Sequence, residues 1–228
     1  MNPEDYFQKQ LEIEPVYQTE GVFYEPFFIF ESRIQSLQRH WFLSKGIIKN
    51  HFLILDKASG HNSAEFDDLF DESIGYDVEY FPEYLRLSTI SFSLSLLENL
   101  LISLSGDIAE SLGKKVELDD RNIPYINKHI LWLTRGCGVD VQIDKKVWKN
   151  LDAIRELRNR FIHKIDRDIP NQIRKVISDM LSESITNDKT VSDEFVDVAM
   201  KKIAGLVKAI ELAVIEFYRS HHRNSDSI

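Results

Sequence analysis

The sequence predicts an all-α protein, an up-down helical bundle with an N-terminal helical extension. Three observations carry that prediction. Apolar residues recur at steps of three and four along several long stretches. The one stretch that alternates as a strand would, with Ile90, Phe92, Leu94 and Leu96 between serines, is explained more fully by a helical stripe through Leu87, Ile90, Leu94, Leu97, Leu101, Leu104 and Ile108. Hydrophobic residues make up 43% of the 228, enough to bury a core, which excludes a wholly disordered chain.

The first segment, to about Asn50, carries Pro3, Pro15 and Gly21, then a helical pattern from Pro26 to about Lys49. Proline is tolerated in a first helical turn because its missing N–H would have no partner there. Phe27, Phe30, Ile34, Leu37, Trp41 and Ile48 recur near helical spacing and read as a packing face. Asp56 to Phe81 turns acidic, with Gly, Ser and Asn, and reads as a loop with one short helix at Glu65 to Glu72. The long Leu/Ile stripe follows and ends near Gly113. Asn122 to Thr134 gives a shorter helix, closed by Gly136-Cys137-Gly138.

Asp144 is an N-cap candidate for a helix running to about Ile165, with the stripe Val147, Leu151, Ile154, Arg158, Phe161 and Ile165. Arg158 thus falls where the periodicity asks for an apolar residue, and a charge there must be paired or lie at a cleft rim. A neighbouring acid such as Glu98 would serve as the pair, or the side chain would snorkel outward. After Pro170 come a helix to about Ser184, a polar turn at Asn187 to Thr190, and a last helix from Ser192 to about Arg219. Its stripe is Phe195, Ala199, Ile203, Leu206, Ile210, Ala213 and Phe217. The division expected is an N-terminal extension with the acidic loop over 1–80, a bundle over 81–220, and a polar tail over 221–228.

Cys137 is the only cysteine, which excludes an internal disulfide framework or a cysteine-based zinc site and suits a reducing cytoplasm. The N-terminus lacks the basic region and apolar run of a signal peptide. Leu85 to Leu104 is interrupted by Arg86, Glu98, Asn99 and serines, so it reads as a core helix and not a membrane span. A net charge of -9 argues against general nucleic-acid coating. Its distribution is uneven. Lys145 to Lys175 holds ten Lys/Arg against four Asp/Glu, whereas Asp56 to Glu83 holds nine Asp/Glu against Lys57 alone.

Within the basic stretch stands Arg155-Glu156-Leu157-Arg158-Asn159-Arg160-Phe161-Ile162-His163-Lys164. Arg158 supplies a permanent planar cation shaped for phosphate, and His163 a side chain that exchanges a proton near neutral pH. At about 100° per residue, Asn159 and His163 lie about 40° apart on one arc of the helix, with Arg158 at its edge. Arg33 and His40 show a similar spacing without the asparagine or a preceding bundle helix. The Arg-Asn-x-x-x-His run resembles the Arg-x(4-6)-His signature of HEPN-domain ribonucleases, and the resemblance covers about Phe81 to Ser220.

That resemblance implies a HEPN-like bundle acting as a metal-independent endoribonuclease of the toxin or anti-phage defence type, with no cofactor. Two motif helices would line one cleft, so a homodimer is expected. His163 would be the general acid or base and Arg158 would stabilise phosphoryl charge, while Asn159 would orient the phosphate or the imidazole. Arg155, Arg160 and Lys164 would hold flanking RNA phosphates. Partners would be RNA and an antitoxin or regulatory protein. Lys164 stands where some relatives carry a modifiable tyrosine, and the acidic loop is an alternative cover for the cleft. The rival reading is a non-catalytic helical dimer that binds RNA, a nucleotide or a partner protein. Asp67, Asp68, Asp71 and Glu72 lack calcium-loop spacing, and His221 and His222 sit in the tail, so no metal site is expected.

Overall fold

The computed structural model describes residues 12–20, 24–59, 75–119, 121–163, 168–181 and 191–225. Among them there is no strand, and the α-helices are α1 (Glu25–Ser59), α2 (Gly75–Ser111), α3 (Tyr125–Leu131), α4 (Lys145–His163), α5 (Asn171–Met180) and α6 (Asp193–Ser225). A π-helical turn, Trp132–Gly136, continues α3. The chain forms two compact units. The first takes 36–91 and 153–199 with the N-terminal residues to Glu14. The second takes 15–35, 92–152 and 200–228, so α1, α2, α4 and α6 each give a segment to both.

In the second unit the core is built from the stripes that the periodicity picks out. Phe27, Phe30 and Ile34 of α1, Leu94, Leu97, Leu101, Leu104 and Ile108 of α2, and Ile203, Leu206 and Ile210 of α6 are all buried. Burying each such side chain stabilises the fold by roughly 1.5–3 kcal/mol. The segment from Tyr17 to Glu20 lies against α1 and α6. The Tyr17 ring meets Phe30 edge-on, and its hydroxyl donates to Glu211 Oε2 at 3.0 Å. Gln35 of α1 donates to the Tyr17 carbonyl, and Lys208 of α6 donates to that of Gln18.

The ends of α2 and α3 follow from glycine. Gly113 has φ 61, Lys114 N–H bonds the Ala109 carbonyl at 2.8 Å, and Gly113 N–H bonds that of Glu110 at 3.0 Å. These two bonds make a Schellman stop, with the left-handed position taken by the residue that tolerates it. Helix α3 starts after Pro124, later than the Asn122 expected, because Pro124 adopts an extended ψ of 144. The π turn replaces the expected α-helical end at Thr134. It brings the Trp132 indole over Gly136, where an added Cβ would lie 2.2 Å from a ring carbon.

The first unit packs Trp41, Ile48, Leu87, Ile90, Ile154, Leu157, Ile177 and Phe195. Charged groups bind its elements as well as apolar ones. The Trp41 indole N–H and the Lys45 ammonium both donate to Asp197, each at 2.9 Å, and Arg86 Nε meets Asp193 Oδ1 at 2.6 Å. Ser192 caps α6, its Oγ accepting the Phe195 N–H at 3.1 Å.

Three expectations need correction. Helix α1 runs on to Ser59 and α2 begins at Gly75, so Asp56–Ser59 and Gly75–Phe81 are helical where a loop is expected. Acidic residues do not break a helix, and α2 continues through Pro82. Helix α5 ends at Met180, since Leu181 is extended, instead of reaching Ser184. The short helix expected at Glu65–Glu72 and the turn at Asn187–Thr190 lie outside the described residues. Tyr80–Ser111 contains an 18-residue window with the mean hydropathy (1.5) to cross a membrane, and 50% of that window is buried inside the protein.

Candidate functional site

Helix α4 opens with the cap expected: Asp144 Oδ1 accepts the Lys146 N–H at 2.6 Å. Its buried side chains are Asn150, Leu151, Ala153, Ile154 and Leu157. The apolar face includes Leu157, which is 2% exposed, and Arg158 lies between Ile154 and Leu151 around the helix, on the stripe the spacing suggests. Arg158, Asn159 and Arg160 are all half-buried and leave the helix in directions about 100° apart, with Arg158 within the arc of the packed face. A guanidinium is tolerated there because its stem covers apolar surface while its head finds polar partners.

Arg155 and Arg158 have their Nε atoms shielded from solvent, and both side chains are engaged within the protein. Arg160 donates from its guanidinium to the backbone carbonyl of Asp168. That tie spans the segment between α4 and α5. The Asn159 side chain makes no hydrogen bond among the described residues. His163 is the last residue of α4, one turn beyond Asn159, and its side chain lies outside the described residues, as does all of Lys164. Glu98, the acid named as support for Arg158, is half-buried on the α2 segment of the second unit and is engaged. Arg158, Asn159 and Arg160 belong to the first unit.

Two polar sites escape sequence reasoning. In the first unit, Glu83 is only 7% exposed; its Oε2 accepts the Val191 N–H at 3.4 Å and lies 3.9 Å from the Arg86 guanidinium. Burial pushes this carboxyl up to about 7, against the lowering by the Val191 N–H and Arg86. A carboxyl at that value gives or takes a proton near neutrality, as a general acid or base must. The only signal was an Arg86 breaking a strongly apolar run.

In the second unit Ser105 Oγ and His129 Nδ1 stand 2.8 Å apart, both buried. The Tyr125 ring meets the imidazole edge-on at 4.6 Å, and burial holds its pKa below the ordinary histidine range. His129 has no recognisable partner in the sequence, because Ser105 is 24 residues away on another helix. Among the described residues no group of three His, Cys, Asp or Glu side chains converges to hold a metal ion. Compared with protein-family models, with curated proteins and with solved structures, the chain gives no match.

Proposed function

We propose that this protein is a metal-independent endoribonuclease of HEPN type, working as a homodimer in which two copies of α4 line one cleft. The observation that supports the reading is that Arg158 and Asn159 are both half-buried on α4, with Asn159 one turn before His163. In the proposed reaction an RNA 2′-oxygen attacks the adjacent phosphorus. The bond to the 5′-oxygen breaks, which leaves a 2′,3′-cyclic phosphate and a 5′-hydroxyl. His163 takes the proton of the attacking hydroxyl or supplies one to the departing oxygen. Arg158 stabilises the charge gathering on the phosphoryl oxygens, Asn159 orients the phosphate, and Arg155 and Lys164 hold neighbouring phosphates. The biological setting proposed is a toxin or defence effector held in check by an antitoxin or regulatory protein.

The test is cleavage of a mixed RNA in excess EDTA, with the ends of the products identified. Activity should persist and yield cyclic-phosphate ends. His163→Ala and Arg158→Ala should each lower the rate by about 100-fold or more, the usual scale for losing a proton-transfer group or an oxyanion donor. Wild-type turnover in either folded variant would sink the assignment.

One observation favours the rival reading. Arg155, Arg158 and Arg160 are all engaged within the protein, and Arg160 holds the Asp168 carbonyl. Arginines so used serve the fold of a non-catalytic helical module. Under that reading no RNA is cut, and RNA or nucleotide binding that weakens with salt is the remaining activity.

A further inference from the structure

On the surface of the second unit, between α1 and α2, lies an open groove of about 320 Å3. Its α1 wall is Pro26, Ile29, Phe30 and Arg33, and its α2 wall is Leu96, Asn99, Leu100 and Ser103, joined by Ile102. Both sets of four follow the spacing of a single helical face. Five of the nine lining residues, Ile29, Arg33, Asn99, Ile102 and Ser103, are exposed, so the space of about 320 Å3 is open to solvent along one side. That volume sits at the small end of the range of ligand sites, about 300–1,000 Å3.

The groove has a direction. Tyr24, just before α1, bonds Asp107 at 3.5 Å, and from there the α1 wall runs forward to Arg33 while the α2 wall runs back from Ser103 to Leu96, so the two walls are antiparallel. Nine residues on from Tyr24 is Arg33 and eight back from Asp107 is Asn99, which brings these two polar side chains to the same end. Pro26 and Ser103 mark the other end, about 10 Å from Arg33 along α1 and about 6 Å from Asn99 along α2 at roughly 1.5 Å per helical residue. Phe30 and Leu100, both buried, form the floor between them, and Ile29 and Ile102 remain 39% and 44% exposed at the walls.

The charge is selective too. On a chain of net charge -9, the lining contains one arginine and no acidic residue. The side chains of Arg33, Asn99 and Ser103 make no hydrogen bond or ion pair among the described residues, so their donors are available to a ligand. We propose that this groove binds a small amphipathic monocarboxylate, its carboxylate between Arg33 and Asn99 and its hydrocarbon body over Phe30 and Leu100 toward Pro26.

A guanidinium forks onto a carboxylate through two parallel N–H bonds, and the Asn99 amide adds a third donor. One cation balances one negative charge, whereas a phosphate dianion would carry excess charge onto an acidic protein. A neutral chain would leave the Arg33 charge unmatched. The site stands in the second unit and owes nothing to the RNA-cleavage motif in the first.

Isothermal titration of the full chain with octanoate tests the proposal. Octanoate should bind saturably, and octanol at least tenfold more weakly. Arg33→Gln should weaken octanoate at least tenfold. Ser103→Trp, a change at an exposed position, should block the groove and abolish binding; circular dichroism of each variant should remain that of the wild type. The proposal is overturned by absence of saturable octanoate binding, by equal affinity for octanol, or by wild-type affinity in either variant. It is overturned equally if the groove proves to be covered by a second copy, seen as a dimer in sedimentation that Ser103→Trp dissociates while octanoate gives no heat.

Discussion

Among the described residues each compact unit buries one glutamate, and the two are treated differently. Glu211 in the second unit is 1% exposed and is approached by the Tyr17 hydroxyl at 3.0 Å, the Glu20 N–H at 2.9 Å and the Lys208 ammonium at 3.2 Å. Glu83 in the first unit is 7% exposed and, among the described residues, receives the Val191 N–H at 3.4 Å and Arg86 at 3.9 Å. Arg86 spends its better contact on Asp193 at 2.6 Å. Similar burial thus leads to different chemistry. Glu211 is a knot that ties a non-helical segment to α6, while Glu83 is a carboxyl left to titrate near neutral pH. Burial sets the desolvation penalty, and the number and distance of the donors decide whether it is offset.

Removing the knot should have the largest effect. Glu211→Ala leaves the Tyr17 hydroxyl and the Glu20 N–H without their acceptor and Lys208 with one carboxylate fewer. The expected loss is about 3 kcal/mol, a fall in Tm of roughly 10 °C for a chain of this size. Thermal unfolding followed by circular dichroism measures it. If Glu211→Ala costs no more than Glu83→Ala, the two sites are alike and the contrast fails.

The Glu83 site makes a prediction of pH dependence. Its folded value lies above that of the unfolded chain, so the native state binds the proton more tightly and stability is lost as pH rises from about 4.5 to about 7. The full difference is about 3 kcal/mol at 1.36 kcal/mol per pH unit. His129 slopes the other way: its folded value is held below 6.5, so the contribution of the neutral ring is present above that pH and is lost as pH falls. The quantity to read from urea unfolding is therefore wild type minus Glu83→Gln, in which the His129 slope cancels. That difference should grow against wild type between pH 5 and pH 8. Parallel curves would show that Glu83 is ionised throughout.

The smallest effect is expected at the His129 pair. Ser105→Ala removes one buried hydrogen bond and should cost about 1 kcal/mol at pH 8, where the imidazole is neutral. A cost near that of Glu211→Ala would mean that the pair is a structural anchor of the same rank, which its single bond does not suggest.

Much of the helical order was legible because periodicity reports a face directly. The stripe from Leu87 to Ile108 is buried throughout, as is the one from Phe195 to Ile210, and the caps at Asp144 and Ser192 form as their side-chain chemistry requires. Less legible were the ends of α1 and α2, where acidic composition was read as loop, and the π turn under Trp132, which has no compositional mark. On α4 the motif residues were found by type and spacing. Their environment was not: the packed face also includes Leu157, and Arg160 is held by a backbone carbonyl eight residues on.

The sequence by itself determined that the described chain is helical, which faces of its helices are apolar, and where Arg158, Asn159 and His163 fall along one of them. These are local properties, set by residue type and by about 3.6 residues per turn. Only the tertiary structure decided that two units interleave along the chain and that Glu211 meets Tyr17 across 194 residues. It also decided that Glu83 lacks comparable donors and that Arg33 and Asn99 share one end of a groove. The physical reason is distance along the chain. Desolvation, pairing of charges and the gap between two helix faces depend on which distant residues arrive together, and no local pattern encodes that.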